Sequence, residues 1–145
     1  MNIQKLDEDL FVAPQIKVQD IAVLKALGIS SIIVARPERE TPDQPPIEQI
    51  KKAADAMGIV VDQIPILPNQ ITDEQTAAFS KHLNKQEGSI LAYCRSGKRA
   101  CILWALHSAS QGRSVDDILD ATQSVGHELS ALRPRLESLA TDPIV

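Results

Sequence analysis

Residues 90–106, Ile-Leu-Ala-Tyr-Cys-Arg-Ser-Gly-Lys-Arg-Ala-Cys-Ile-Leu-Trp-Ala-Leu, leave this chain few ways to fold. The apolar run Ile90 to Tyr93 reads as a buried strand that delivers Cys94 to its end. Arg95, Ser96, Gly97, Lys98 and Arg99 then form a tight loop, and a helix is predicted from Ala100 to Gln111, with Gly112 as its stop. A strand, a tight loop and a helix start aim several backbone N–H groups at one point, and the positive end of the helix dipole adds to them. Such a nest binds an oxyanion, reinforced here by three cationic side chains. Thiolate is the form of cysteine that this field stabilises. One six-residue loop thus offers both a nucleophile and an anion cradle.

Each feature alone has a plainer reading. A cysteine ending a buried strand is commonly a small core hydrophobe, and a Lys/Arg cluster is commonly a solvated turn. Neither accounts for both features in one strand–loop–helix centred on Gly97.

The rest of the composition narrows the class. A length of 145 residues fits one domain, residues 1–145, large enough for a real core. The net charge of −4 argues against a nucleic-acid partner, so the basic loop is a local exception on an acidic body. Two cysteines seven residues apart make no disulfide framework, and a reactive thiol fits a reducing compartment. Residues 1–9 carry no apolar signal core, and no stretch is long enough to span a membrane. A soluble, cytoplasmic protein without a membrane partner is the expectation; the oligomeric state is not legible.

Helices and strands alternate along the chain. Ile3–Leu6 and Leu10–Ala13 read as short strands around the Asp7-Glu8-Asp9 turn. Val18–Leu27 has helical spacing and ends at Gly28; Ile29–Ala35 has the apolar, β-branched pattern of a strand buried on both faces. Past the charged Arg36-Pro-Glu-Arg-Glu40 and a proline-rich loop, Ile47–Met57 reads as a helix and Ile59–Ile64 as a strand. Thr72 and Gln75 form a capping box for a helix to about Asn84, expected to bury Ala77, Ala78, Phe79 and Leu83. Ser114 with Asp117 caps another helix through about Ser124, and a last one spans Leu129–Leu139, interrupted by Pro134. The economical architecture is a single three-layer α/β domain, a mostly parallel central sheet flanked by helices. Ligands of such sheets sit at the carboxyl ends of strands, where Cys94 and Arg36 both fall.

Other groups carry weaker signals. Cys101 is either a resolving thiol for Cys94 or a buried helical cysteine. Arg36, Glu38, Arg39 and Glu40 either close over the site or orient Arg99, or else form a solvated loop. His82, His107 and His127 share no metal-ligand spacing with one another or with the cysteines, so no metal and no cofactor is expected. Asp73 is either an auxiliary general acid or a first-turn carboxylate favoured by the helix dipole.

The order of elements resembles a tyrosine- or dual-specificity-phosphatase-like fold. More closely, nearly the whole chain is similar to the small bacterial phosphatase-like domain also found fused to metallo-β-lactamase-type sulfur dioxygenases. The resemblance rests on Leu10-Phe-Val-Ala-Pro14, Leu27-Gly-Ile-Ser-Ser-Ile-Ile33, Arg36-Pro-Glu-Arg-Glu40 and, most specifically, Leu91-Ala-Tyr-Cys-Arg-Ser-Gly-Lys-Arg99. Members of this family are labelled phosphatase or sulfur transferase.

Two departures from the phosphatase pattern bear on that choice. Phosphatases of this fold carry five residues between the nucleophilic Cys and the Arg, whereas four separate Cys94 from Arg99. A Cys-Arg-Ser-Gly-Lys-Arg loop looks instead like the six-residue loop of rhodaneses, which take sulfane sulfur onto the cysteine. Phosphatases also place an aspartic acid in the loop matching Pro65–Gln70, and this chain has Leu67, Pro68 and Asn69 there. A poor leaving group without that acid forfeits roughly 10²–10⁴ in rate. Sulfite leaving from thiosulfate needs no such proton.

The expectation is a cysteine-dependent enzyme with Cys94 as nucleophile. Arg99 and the loop Arg95, Ser96, Gly97 and Lys98 hold the oxyanion, and Asp73 and Arg36 are auxiliary candidates. Sulfur transfer through a Cys94 persulfide stands first, with a small oxyanion or sulfur donor as substrate. Hydrolysis of a phosphorylated substrate through a phosphocysteine is the alternative, and an oxyanion- or redox-sensing domain without turnover is the third reading.

Overall fold

Residues 89–93 are apolar enough to be covered on both sides, and strand β5 (Ser89–Tyr93) lies at the centre of the sheet. The computed structural model describes residues 2–141. Around β5 stand β1 (Gln4–Asp7), β2 (Leu10–Ala13), β3 (Ile29–Val34) and β4 (Val60–Gln63), in the order β1-β2-β5-β3-β4. β2, β5, β3 and β4 run parallel, and β1 alone is antiparallel, joined to β2 by the tight acidic turn.

Among the described residues the helices are α1 (Ile21–Ala26), α2 (Ile47–Ala56), α3 (Asp73–Lys85), α4 (Lys98–Ser110), α5 (Val115–Ser124) and α6 (Arg133–Thr141). Helices α1 and α2 cover one face, where Ile21, Leu24, Ile47 and Ile50 pack on Ile32, Val34, Leu91 and Tyr93. Helices α3 to α6 cover the other, where Phe79, Leu103, Ile118 and Leu136 pack on Ile33, Ile90 and Ala92. Three layers and a single α/β domain result, as the alternation predicts. The period of two along β5 sends Leu91 and Tyr93 to the first face and Ile90, Ala92 and Cys94 to the second. Cys94 therefore meets α4. That helix is buried nearly all round, from Ala100 to Ala109, because α3, α5 and α6 enclose it.

Local chemistry accounts for the boundaries. The Thr72 hydroxyl accepts from the Gln75 amide at 3.1 Å, and the Gln75 side chain accepts from the Thr72 amide at 2.9 Å, completing the capping box. The Asp117 amide donates to Ser114 Oγ at 3.4 Å. Two expectations are corrected. Ala77 and Ala78 are exposed, and α3 instead buries Thr76 and His82 beside Phe79, with Leu83 half-buried. His82 is accommodated because Ser31 Oγ lies 3.0 Å from its Nε2 and Asp62 Oδ2 lies 2.6 Å from its Nδ1. Pro134 does not interrupt a helix: a 3₁₀ turn at Ser130–Leu132 precedes it, and it sits in the first turn of α6. No amide is needed there. No helix of the described residues is long and apolar enough to cross a membrane.

Candidate active site

Strand register assembles the site. Ala13, Val34 and Tyr93 are neighbours in the ladder, and Val34 also pairs with Gln63. Four parallel strands thus end together, and the segments after them meet at one edge: Gln15, Arg36, the Pro65–Gln70 loop and Cys94. The Cys94 amide donates to Ala13 O at 3.4 Å, the Gln15 amide to Arg95 O at 3.2 Å, and the Ala35 amide to Tyr93 O at 2.8 Å.

The chain turns after Cys94 within three residues. Gly97 makes this turn with φ of +94°, a left-handed conformation that side chains disfavour, and it is the N-cap of α4. A Cβ at this position would also meet His127 Nε2 at 3.2 Å and the Ala13 main chain at 3.5 Å. The Gly97 amide points inward and donates to Cys94 Sγ at 3.1 Å. The first amides of α4 have no partner within the helix, and the helix dipole adds its positive end. Cys94 is fully buried at the floor of this loop; Arg95, Ser96 and Lys98 are exposed on its rim.

Arg99 is held in one orientation. Its Nη1 donates to Glu40 Oε2 at 2.8 Å and to Ile66 O at 2.7 Å, and its Nη2 donates to Glu40 Oε1 at 2.7 Å. The two-point grip on a carboxylate uses the planar fork of arginine. Burial works against the Arg99 charge, but the hydrogen bonds to Glu40 and the charge of Cys94 outweigh it and raise its pKa. In return the Arg99 hydrogen bond, aided by Arg36, holds the Glu40 carboxyl below its ordinary value despite some burial.

Arg36 is the second support. It is 1 % exposed, and its Nε donates to Glu40 Oε1 at 3.0 Å. Its Nη1 donates to Gln15 Oε1 at 2.8 Å and its Nη2 to Thr41 Oγ1 at 3.3 Å. A buried guanidinium with all three nitrogens engaged is a fixed part of the framework. Of the two readings of the Arg36–Glu40 segment, orientation of Arg99 is the one the geometry realises. Glu38 is turned the other way, its carboxylate accepting from the Ile47 amide at 2.9 Å to cap α2, and Arg39 is exposed. Arg36, Arg99, Arg95 and Lys98 outnumber Glu40 and the exposed Asp43, whose charge acts on Arg95 and Arg36, and so leave positive charge in excess around the loop.

The remaining predicted groups lie elsewhere. Asp73 is exposed at the start of α3 and pairs with Arg135 Nη2 at 3.5 Å. Cys101 is fully buried in the core, and burial, with a contribution from Cys94, pushes its thiol up to about 12. It is a core residue held as thiol. His107 of α4 bonds Ser80 of α3, and His82 of α3 bonds Ser31 of β3 and Asp62 of β4. Sequence reasoning missed Gln15, which fastens Arg36 and the loop together, and the Ile66 carbonyl. A main-chain acceptor leaves no trace in a side-chain pattern.

A buried thiol at the end of the central parallel strand, an anion-binding turn and an arginine aligned from behind define a phosphatase-like, cysteine-nucleophile α/β fold. The comparisons agree. Residues 2–111 match the model of the family described as beta-lactamase hydrolase-like protein, phosphatase-like domain, and the chain belongs to that family. A beta-lactamase hydrolase-like protein of Agrobacterium fabrum is 37% identical over 94% of this chain and 32% of its own length. The chain therefore spans about a third of the curated relatives it matches. A candidate phosphatase from Neisseria meningitidis, solved as a crystal structure, is 35% identical with a TM-score of 0.88, covering 96% of this chain and 99% of that one. Tk-PTP shares the fold alone, at 14% identity and a TM-score of 0.76 over 98% of each chain.

Proposed function

We propose that this domain is a Cys94-dependent sulfurtransferase that takes sulfane sulfur from a small oxyanionic donor. The observation that carries the proposal is where the carboxylates stand. Glu40 is engaged by Arg99 and Arg36, Glu38 caps α2, the exposed Asp43 is held by Thr41 beside Arg95 and Arg36, Asp73 pairs with Arg135, and the Pro65–Gln70 loop facing Arg99 contains no acid. The reaction best matched to this site expels a group that leaves as a stable anion. In the first step the Cys94 thiolate attacks the outer sulfur of a thiosulfate-type donor. The donor S–S bond breaks, and sulfite departs with the bonding pair. The amides of residues 95–99 and the Arg99 and Lys98 cations stabilise the bound and departing oxyanion. In the second step an acceptor nucleophile, such as a thiolate or cyanide, attacks the outer sulfur of the persulfide and releases the Cys94 thiolate. A thiol cycling in this way belongs to a reducing compartment, the cytoplasm.

A second reading is favoured by the likeness to the Neisseria candidate phosphatase, whose fold this chain reproduces closely. In it Cys94 attacks phosphorus, the alkoxide leaves, and water hydrolyses the phosphocysteine. A single preparation assayed for thiosulfate:cyanide transfer and for aryl-phosphate hydrolysis separates the two. Transfer exceeding hydrolysis supports the proposal. Hydrolysis without transfer replaces it with the second reading, and neither activity points to a sensing domain.

A further inference from the structure

The anion loop has a back as well as a mouth, and one titratable side chain stands against that back. Helix α5 ends at Ser124, Gly126 takes φ of +94°, and the His127 amide donates to Thr122 O at 2.9 Å. This is a Schellman-type stop, and it throws the residue after the glycine back across the helix end. The His127 ring thereby reaches the underside of the loop. Its Nε2 lies 3.2 Å from where a Gly97 Cβ would stand, with the Ala13 main chain on the neighbouring side. The space remaining beside the ring, lined also by Gln4, Val12, Pro14 and Val125, is about 20 Å³. That is room for about one water molecule, so the ring is closely seated.

The charged surroundings are simple. Lys98, on the first turn of α4, is the charge acting on the ring, and the Ser96 main chain faces it. Glu128, next along the chain, is turned away to accept from the Ser130 amide at 2.6 Å. The residues of β1, β2 and α5 that line the space beside it carry no charge. Burial and Lys98 together hold the imidazole below its ordinary value, while the Ser96 main chain opposes them. The imidazole thus stands against the Ser96–Gly97 segment, where its charged form is disfavoured.

We infer that His127 is a positioning residue of the anion loop whose protonation is linked to occupancy of that loop. The inference rests on the reading of residues 94–99 as an oxyanion cradle. An anion on the mouth side attracts a proton onto the imidazole on the back side. By reciprocity, protonated His127 tightens the anion by the same factor. A unit charge one loop's thickness away, partly screened by solvent, corresponds to about 3- to 10-fold in affinity.

The test uses sulfate, which keeps its charge across the range, and a Cys94→Ser background, which removes titration of the thiol. Sulfate affinity is measured at pH 7.5 and 5.5 by calorimetry, with His127 intact and as His127→Gln. In parallel, imidazole NMR signals of the wild-type chain are titrated with and without saturating sulfate. The expected result is a sulfate affinity about 3- to 10-fold tighter at pH 5.5, with this gain absent in His127→Gln. The His127 midpoint should rise with sulfate while those of His82 and His107 stay in place. A role limited to packing would lower affinity equally at both pH values and leave the midpoint still, and that outcome overturns the inference. The NMR titration does not depend on a variant folding. Sulfate binding that Arg99→Lys weakens but to which His127 is indifferent refutes this inference alone. The absence of any sulfate binding refutes the cradle, and this inference with it.

Discussion

Helix α4 has an arginine–carboxylate pair at each end, and the two pairs are built differently. At its C-terminal end Arg113 meets Asp7 Oδ2 at 3.2 Å and lies over the Trp104 ring at 5.3 Å, while Trp104 Nε1 donates to the same oxygen at 3.0 Å. One cation matches one anion there, both half-exposed and near the negative end of the helix dipole. At the N-terminal end Arg99 and Arg36 share Glu40, out of solvent, beside loop amides and the positive end of the dipole. The first cluster is neutral and satisfied. The second holds its cations rigidly yet retains positive charge, which is what an oxyanion requires. The same contrast separates the two thiols. Both are fully buried, but Cys94 has the Gly97 amide and Arg99 for neighbours, whereas burial, with a contribution from Cys94, pushes Cys101 up to about 12.

The largest effect should come from exchanging the thiols. Cys94→Ser is expected to remove turnover by a factor on the order of 10³ or more, with unchanged thermal stability, because the nucleophile carries the covalent step. Cys101→Ser should keep at least half the rate. Steady-state assays on both variants check this, and a greater loss from Cys101→Ser would reverse the assignment.

Arg99→Lys comes next. An ammonium cannot reproduce the fork that grips Glu40 beside Cys94, so turnover should fall by about 10²-fold and sulfate affinity with it. Arg95→Lys, on the exposed rim, should cost less than about threefold, because charge alone is conserved there. Equal losses in the two variants would mean that net charge, rather than the orientation of Arg99, holds the anion.

Glu40→Gln sharpens the comparison by sparing the charge of both arginines. Turnover should drop about 10-fold through misplacement of Arg99. Its acid stability should change as well. The carboxyl is held below the ordinary glutamate value, mainly by the Arg99 hydrogen bond. The stability it contributes is thus complete above pH 4.5 and is lost as pH falls through the lower, folded-state value. Denaturant midpoints measured from pH 6 down to pH 3 should fall less steeply in Glu40→Gln than in the wild type. Parallel curves would show that the bridge contributes nothing to stability.

The smallest effect is expected at the other end of α4. Arg113→Ala should leave turnover within twofold and lower stability by under about 1 kcal/mol, as for an exposed ion pair. A loss of activity comparable to Arg99→Lys would erase the distinction between the two ends.

The parts of this site legible in the sequence are those that depend on short-range pattern. The run Ile90–Tyr93, the turn at Gly97 and the apolar helix beyond it identify the strand–loop–helix, because each obeys local rules of burial and backbone conformation. The Thr72 capping box and the Ser114 cap are legible for the same reason. What stayed open depends on register between distant strands. That Arg36 and Glu40 back Arg99 follows from β3 and β5 ending level, which nothing within residues 36–40 records. Gln15 and Ile66 arrive through β2 and through the loop after β4 in the same way. The burial of Thr76 and His82 in place of Ala77 and Ala78 reflects a polar pocket, Ser31 with Asp62, that lies on two other strands. The three histidines share no metal-ligand spacing, and a ring packed behind a loop, as His127 is, has no spacing to find.

In the proposed reaction Cys94 accepts sulfur without help from an acid. This is tested most directly by incubating the protein with thiosulfate and measuring intact mass, followed by peptide mapping. One added sulfur atom is expected, located on Cys94, removable by cyanide or dithiothreitol, and loaded within twofold of the same rate in Asp73→Asn. No added sulfur, together with phosphate release from alkyl esters that Asp73→Asn depresses by on the order of 10²-fold, would contradict it.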